Sequence, residues 1–249
     1  MAEIRESSTP VREFRTTAVA SVATIQGVGI PKGADGFTVY APTNAYNLQV
    51  APRLVFCGKT DDAGVTFTDY TKAATDLDAA TDVDLDSLDT AANDNYWYLA
   101  AHYKFAGATV DVDNSHVNAT ASTMTGYYWN GTAWADASIT DLTDNATACL
   151  GQDGNITWTV PSAWEETTLN GIPNLYIIRF QVSAQLDSDT LIDGITLLSG
   201  VAGALLVQAT TYVFGLDREA VGALNIDESG ATTQTITVNW VNYGKILGA

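Results

Sequence analysis

Basic residues are scarce in this chain of 249 residues: 11 Lys and Arg stand against 29 Asp and Glu, a formal net charge of −18. Phosphate recognition needs clustered cations, so nucleic acid and other polyanions are excluded as partners. Cysteine is nearly absent. Cys57 and Cys149 lie far apart, with no CxxC or Cys/His spacing, which argues against zinc and predicts two buried free thiols. No run of 18 apolar residues occurs, so no membrane-spanning helix is expected. The segment Met1–Arg15 mixes Arg5, Arg12 and Arg15 with Glu3, Glu6 and Glu13 and lacks the apolar core of a secretory leader. These absences predict a protein made and assembled in a reducing cytoplasm, where the Asn-x-Thr triplets at Asn118, Asn130, Asn145 and Asn155 carry no glycan.

Catalytic patterns are missing as well. There is no GxSxG elbow, HExxH, Walker A loop or GxGxxG in a strand-turn-helix setting. Asp113, Ser115 and His116 are too close in sequence to converge as a triad. Carboxylate pairs such as Asp111/Asp113 and Glu165/Glu166 are expected by chance where Asp is abundant, and nothing in the sequence raises their pKa. The expectation is a protein that is no enzyme, with no catalytic residue, cofactor or metal.

What is present is a charge partition. Residues 61–194 carry 21 Asp and Glu against Lys72, Lys104 and Arg179, a net of −18, while 1–60 and 195–249 together sum to zero. A neutral surface costs less to bury against a neighbour than a charged one. Abundant Thr, Val, Ile and aromatic residues, with Asp outnumbering Glu, favour strands over helices.

After a polar segment 1–18 that reads as an extended arm, short strand-type runs appear at Val22–Ile25, Phe37–Tyr40, Tyr46–Val50 and Leu54–Cys57, punctuated by Gly and Pro. An Asp-rich stretch, 76–89, alternates acid with aliphatic, which puts Val83 and Leu85 on one face and Asp82, Asp84 and Asp86 on the other. Oxygen ligands at i, i+2 and i+4 would suit calcium, but the glycine and closing Glu of an EF-hand are missing, so a solvated edge is the favoured reading.

Further strands are predicted at Tyr96–Tyr103, Ala108–Val112, Thr123–Trp129, Thr132–Ser138, Ile156–Val160, Leu175–Ala184 and Leu191–Leu198. Asn130-Gly131 reads as a two-residue hairpin loop with Trp129 opposite Thr132. The one helix-like piece is Ser162–Thr167. Neutral strand runs then return at Ala204–Phe214, Ala223–Ile226 and Thr233–Val241, the last two read as a hairpin around Asp227-Glu228-Ser229-Gly230. The predicted fold is all-β: a jelly-roll-like antiparallel sandwich over 61–194, a neutral β base from 19–60 plus 195–249, and the arm 1–18.

Aromatic residues crowd the acidic stretch. Most are expected in the core, yet Tyr128, Trp129, Trp134 and Trp164 are candidates for an exposed platform that would grip a glycan, neutral rather than sulfated.

Within 96–196, the runs Tyr128-Trp129-Asn130-Gly131-Thr132-Ala133-Trp134, Ile156-Thr157-Trp158-Thr159-Val160-Pro161-Ser162-Ala163-Trp164, Asn170-Gly171, Tyr176-Ile177-Ile178-Arg179 and Ile192-Asp193-Gly194-Ile195 carry a resemblance. This part of the chain resembles a module of virion structural proteins of tailed bacteriophages, shared by head decoration proteins, tail components and fibres. The flanks match no such pattern. The resemblance implies a jelly-roll-like fold, a place in the virion after assembly in the host cytoplasm, and the major capsid protein or other virion proteins as partners. It also implies a homo-oligomer, a trimer by analogy, and no nucleic acid or membrane. A capsid decoration (cement) protein is the leading expectation, and a tail, baseplate or fibre protein binding host glycans is its rival.

Overall fold

The computed structural model describes residues 12–20, 26–30, 34, 36–40, 42, 45–61, 65–76, 78, 80–93, 95–200, 204–206, 211–215, 221–228 and 235–242. The first strands are β1 (Arg12–Ala20), β2 (Gln26–Gly29), β3 (Gly36–Tyr40), β4 (Tyr46–Pro52), β5 (Phe56–Thr60) and β6 (Phe67–Asp69), followed by the short helix α1 (Thr71–Asp76). The middle of the chain forms β7 (Val83–Asp84), β8 (Tyr96–Ala101), β9 (Phe105–Val112), β10 (Met124–Trp129), β11 (Trp134–Asp136), β12 (Thr140–Asp141), β13 (Gly154–Thr157), β14 (Thr167–Leu169), β15 (Ile172–Val182) and β16 (Leu191–Ser199). The last strands are β17 (Ala204–Leu206), β18 (Thr211–Gly215), β19 (Val221–Glu228) and β20 (Thr235–Asn242). All ladders between these strands are antiparallel, and the fold is all-β with several sheets packed together.

The two ends of the chain fold on each other. One four-stranded sheet runs β1-β20-β3-β18 and another β17-β4-β19-β2, so each interleaves strands from both ends of the sequence. Alternation explains their packing. In β20, Ile236, Val238 and Trp240 are buried while Thr237 and Asn239 are half-buried, and in β4 Tyr46 and Leu48 alternate with Asn47 and Gln49. These inward residues meet Val28, Phe37, Val39, Leu224 and Ile226 in one apolar cluster between the two sheets.

The middle of the chain builds a larger sandwich. Its seven-stranded sheet runs β11-β10-β15-β8-β5-β6 with β14 paired to β15, and its five-stranded sheet runs β12-β13-β9-β16-β7. Between them lie Trp97, Leu99, Met124, Ile178 and Phe180 from one sheet and Val83, Val110, Ile156, Ile192 and Leu197 from the other. Trp158 and Trp164 fill the same core from the connection after β13, each donating its indole N–H to a backbone carbonyl, Phe105 O at 3.0 Å and Ile177 O at 3.1 Å. The two sandwiches share a seam. Ala51, Leu54 and Ala223 pack into the larger core, and the buried Asn225 of β19 accepts the Ser199 N–H and donates to Leu197 O.

Several sequence expectations are corrected. Residues 12–18, read as arm, form most of β1 and pair with β20, and residues 1–11 and the run Val22–Ile25 lie outside the described residues. Phe56–Thr60 and 195–199, assigned to the neutral base, belong to β5 and β16 of the larger sandwich. The stretch 223–241 is no hairpin: β19 and β20 lie in different sheets, because each apolar face is met by the opposite sheet's core rather than by its sequence neighbour.

The helix is α1 rather than Ser162–Thr167. Asp69 Oδ1 accepts the Thr71 N–H at its start, and the Thr71 hydroxyl accepts Cys57 N–H, which ties the turn to β5. The hairpin loop has four residues. Asn130 Oδ1 accepts from Thr132 N, Thr132 Oγ1 and Ala133 N, Gly131 takes φ 91°, and Trp129 therefore pairs with Trp134 instead of Thr132.

Candidate functional site

The register of β10, β11, β15 and β8 decides which aromatics face solvent. Tyr128 points inward and meets Trp164, whose ring also contacts Phe105, Trp158 and Tyr176. Trp164 is 1% exposed, so two members of the expected platform, Tyr128 and Trp164, belong to the core side of the sheet. The alternation that takes them in sends Tyr127 and Trp129 out. Trp129 and its cross-strand partner Trp134 meet edge to face at 5.6 Å on the outer surface, both half-buried. The structure thus splits the predicted quartet in two, with Trp129 and Trp134 together on the solvent side.

Arg179 joins them there. It pairs with Tyr127 on one side and Tyr98 on the other. Its guanidinium carbon sits 4.1 Å from the centre of the Tyr96 ring and 4.3 Å from that of Trp134, a cation held against two π faces. Beyond Tyr96 the outer face continues into Tyr98, Phe67 and Phe56, ring against ring at 5.4 to 6.1 Å, above a small apolar cluster with Leu169, Leu175 and Ile177. Sequence reasoning missed Tyr96 and Arg179. Period two places them outward, but only sheet order shows that they flank Trp134.

A second feature lies at the edge of the five-stranded sheet. Ile192 pairs with both Val83 and Val112, and the next residues along each strand are Asp193, Asp82 and Asp113. These three offer carboxylate oxygens within 4.8 Å of one another. One oxygen each of Asp82 and Asp193 is buried without a hydrogen-bond partner. Burial, then the charges of Asp113 and Asp111 and the contact with Asp82, push the Asp193 carboxyl up to about 6. Asp113 is held below the usual range because it accepts the Ser115 N–H and pairs with His116 Nδ1 at 2.6 Å, and the same contact raises His116. Ser115 and His116 both bond to Asp113 itself, with no hydrogen bond between Ser115 and the His116 ring, so the Asp113, Ser115, His116 set is a local turn centred on the carboxylate. The cluster sets three carboxylates close together, and protonation of Asp193, favoured first by burial and then by its acidic neighbours, lowers the cost of that arrangement.

The rest of the Asp-rich stretch is spent on local bonds. Asp76 accepts from Asp78 N and Thr81 Oγ1, and Asp86 from Ser87 Oγ. Asp84 accepts Asp86 N and lies 3.7 Å from the Lys59 ammonium, which also donates to Asp86 O. Val83 and Leu85 are fully buried, as the alternation predicts. Cys57 and Cys149 are free and buried, and burial pushes their thiols up to about 12 and about 11, which keeps them protonated and unreactive.

No family model matches the chain, and comparison with curated proteins and with solved structures gives no match. Among the described residues, no helix is long and apolar enough to cross a membrane.

Proposed function

We propose that this chain is a non-enzymatic structural protein of a tailed-phage virion, a decoration protein bound to the outside of the head. The observation that supports this most is where the charge lies relative to the sheets. Counting Lys59 with the sandwich it belongs to, residues 56–199 carry 21 acids against Lys59, Lys72, Lys104 and Arg179, a net of −17, and the rest of the chain only −1. The strands of the two chain ends make a second body, joined to the acidic one through Asn225 and the Ala51, Leu54 and Ala223 contacts.

In this reading the neutral body binds capsid subunits or sister copies in a homo-oligomer, a trimer by analogy. The acidic sandwich faces outward, where its charge limits association between particles. Stoichiometry tests it. Hundreds of copies distributed over head facets are expected, and about three to eighteen copies confined to the tail overturn it, those ranges following from point-group symmetry.

One observation favours a second reading, a tail or fibre protein that binds glycan: Trp129 and Trp134 stand side by side on the outer face with their rings partly exposed. A glycan array read against Trp129→Ala checks it. Saturable binding lost in the variant supports this reading, and an array without signal removes it.

A further inference from the structure

We propose that the outer face around Arg179 is a binding site for a carboxylate-bearing sugar such as a uronic or sialic acid. This deepens the glycan reading and rests on it, and it is independent of where in a virion the protein sits.

In a sandwich of 21 acids, the ion pairs among the described residues are Lys59 with Asp84 and His116 with Asp113, and no described carboxylate forms an ion pair with Arg179. Its Nε is buried without a hydrogen-bond partner, while the rest of the guanidinium is in hydrogen-bonding contact with the Tyr98 hydroxyl. This cation is held by rings and a phenol rather than by a described carboxylate, which leaves its charge available to a ligand.

The rings then fix how it can be used. The Tyr96 and Trp134 rings both lie against the guanidinium, at 4.1 and 4.3 Å from its carbon, and neither ring can accept its in-plane N–H groups as a carboxylate does. An in-plane edge carrying parallel N–H groups is the geometry that a carboxylate accepts with both oxygens. Arg179 is partly exposed, and with Nε buried the edge left for an incoming carboxylate is the one formed by its two terminal nitrogens.

The surroundings suit a pyranose rather than a bare anion. Trp129, set edge to face against Trp134, offers an apolar surface beside the cation for the C–H face of a sugar ring. On the neighbouring strand Tyr127 pairs with Arg179, and its hydroxyl accepts from Gln181 Nε2 at 2.8 Å, which places a phenol and an amide within the same patch for ring hydroxyls. Charge chooses between sugar classes: a neutral glycan uses the rings and leaves Arg179 unpaired, whereas an acidic one uses both.

The test is a tryptophan-fluorescence titration of the full chain with D-glucuronic acid, N-acetylneuraminic acid, methyl glucuronate ester and D-glucose. Expected is saturable binding of the two acids, about 10- to 100-fold tighter than the ester or glucose, the span that a charge-assisted bidentate contact supplies. Arg179→Lys removes that preference with the circular dichroism spectrum unchanged, and Trp129→Ala weakens acid and ester alike. Equal binding of acid and ester overturns the acidic-sugar proposal and leaves the glycan reading standing, while no saturable binding of any sugar overturns both. Sedimentation velocity supplies the remaining outcome: self-association that Arg179→Lys abolishes would make the occupant a carboxylate of a second copy and overturn the sugar assignment.

Discussion

The two sandwiches are built by the same rule and stabilised to different depths. In the body formed by the chain ends, one apolar layer between two four-stranded sheets carries the packing, and among the described residues Phe37 and Trp240 are its close ring pair. The acidic sandwich has apolar side chains on both faces of its seven-stranded sheet: a core that includes Trp97, Trp158, Trp164 and Phe180 inside, and the Phe56, Tyr98 and Leu175 cluster outside. The comparison teaches that a surface of high like charge is carried where burial is deepest. Self-repulsion opposes compaction, and extra buried area offsets it.

The largest effect should come from hollowing the deeper core. Trp164→Ala removes a ring packed against four others, and a loss of about 3–5 kcal/mol is expected for a buried aromatic. Urea titration measures it. Because Ala51, Leu54 and Ala223 pack into that core, both bodies should unfold in one transition, and a variant that melts the acidic sandwich while leaving a second transition in place would break that coupling.

The seam itself is the next target. Asn225→Ala deletes the two hydrogen bonds to Ser199 N and Leu197 O in a fully buried position, at about 1–3 kcal/mol. If the seam couples the bodies, the same variant also broadens the melt by calorimetry.

A smaller effect with the opposite sign is expected at the carboxylate cluster. Asp193 titrates near 6 in the folded protein, above the ordinary carboxylate range near 4, so the folded state holds its proton more tightly. Its favourable contribution is therefore complete below about pH 4 and lost as pH rises through about 6. Asp193→Asn should raise the melting temperature at pH 7.5 by about 2–4 °C, the equivalent of about 1 kcal/mol in a chain of this size, and leave it unchanged at pH 4. An equal shift at both pH values would show that repulsion is not the cause. Asp113 works in the other direction: its carboxyl is held low, so its contribution is present at neutral pH and fades in acid.

The smallest change is expected at the hairpin tip. Asn130→Ala gives up three hydrogen bonds in an exposed loop, worth about 0.5–1 kcal/mol together. Since that loop sets Trp129 against Trp134, the indole fluorescence should shift even where stability barely moves.

Much of the fold was legible locally. The short apolar runs Tyr96–Ala101 and Leu191–Ser199 mark strands buried on both faces, and Val83 and Leu85 could be assigned inward because they alternate with Asp. Long-range facts were not legible. The pattern at 223–241 reads as a hairpin because turn residues separate two strands, yet nothing local says that each strand prefers a partner from the other end of the chain. Of the aromatic quartet, sequence could say that alternate residues oppose each other but not which set meets the core.

The sequence by itself determined the all-β class, the concentration of acid in the middle of the chain and the two inert thiols, because composition and short-range alternation are properties of neighbours along the chain. Tertiary structure decided the rest: that Lys59 belongs to the acidic body, that the carboxylates of Asp82, Asp113 and Asp193 converge from three strands or their ends, and that Arg179 lies against both Tyr96 and Trp134. Each of those depends on strand order and register. These are set by how whole apolar faces find one another, and no window of residues contains that information.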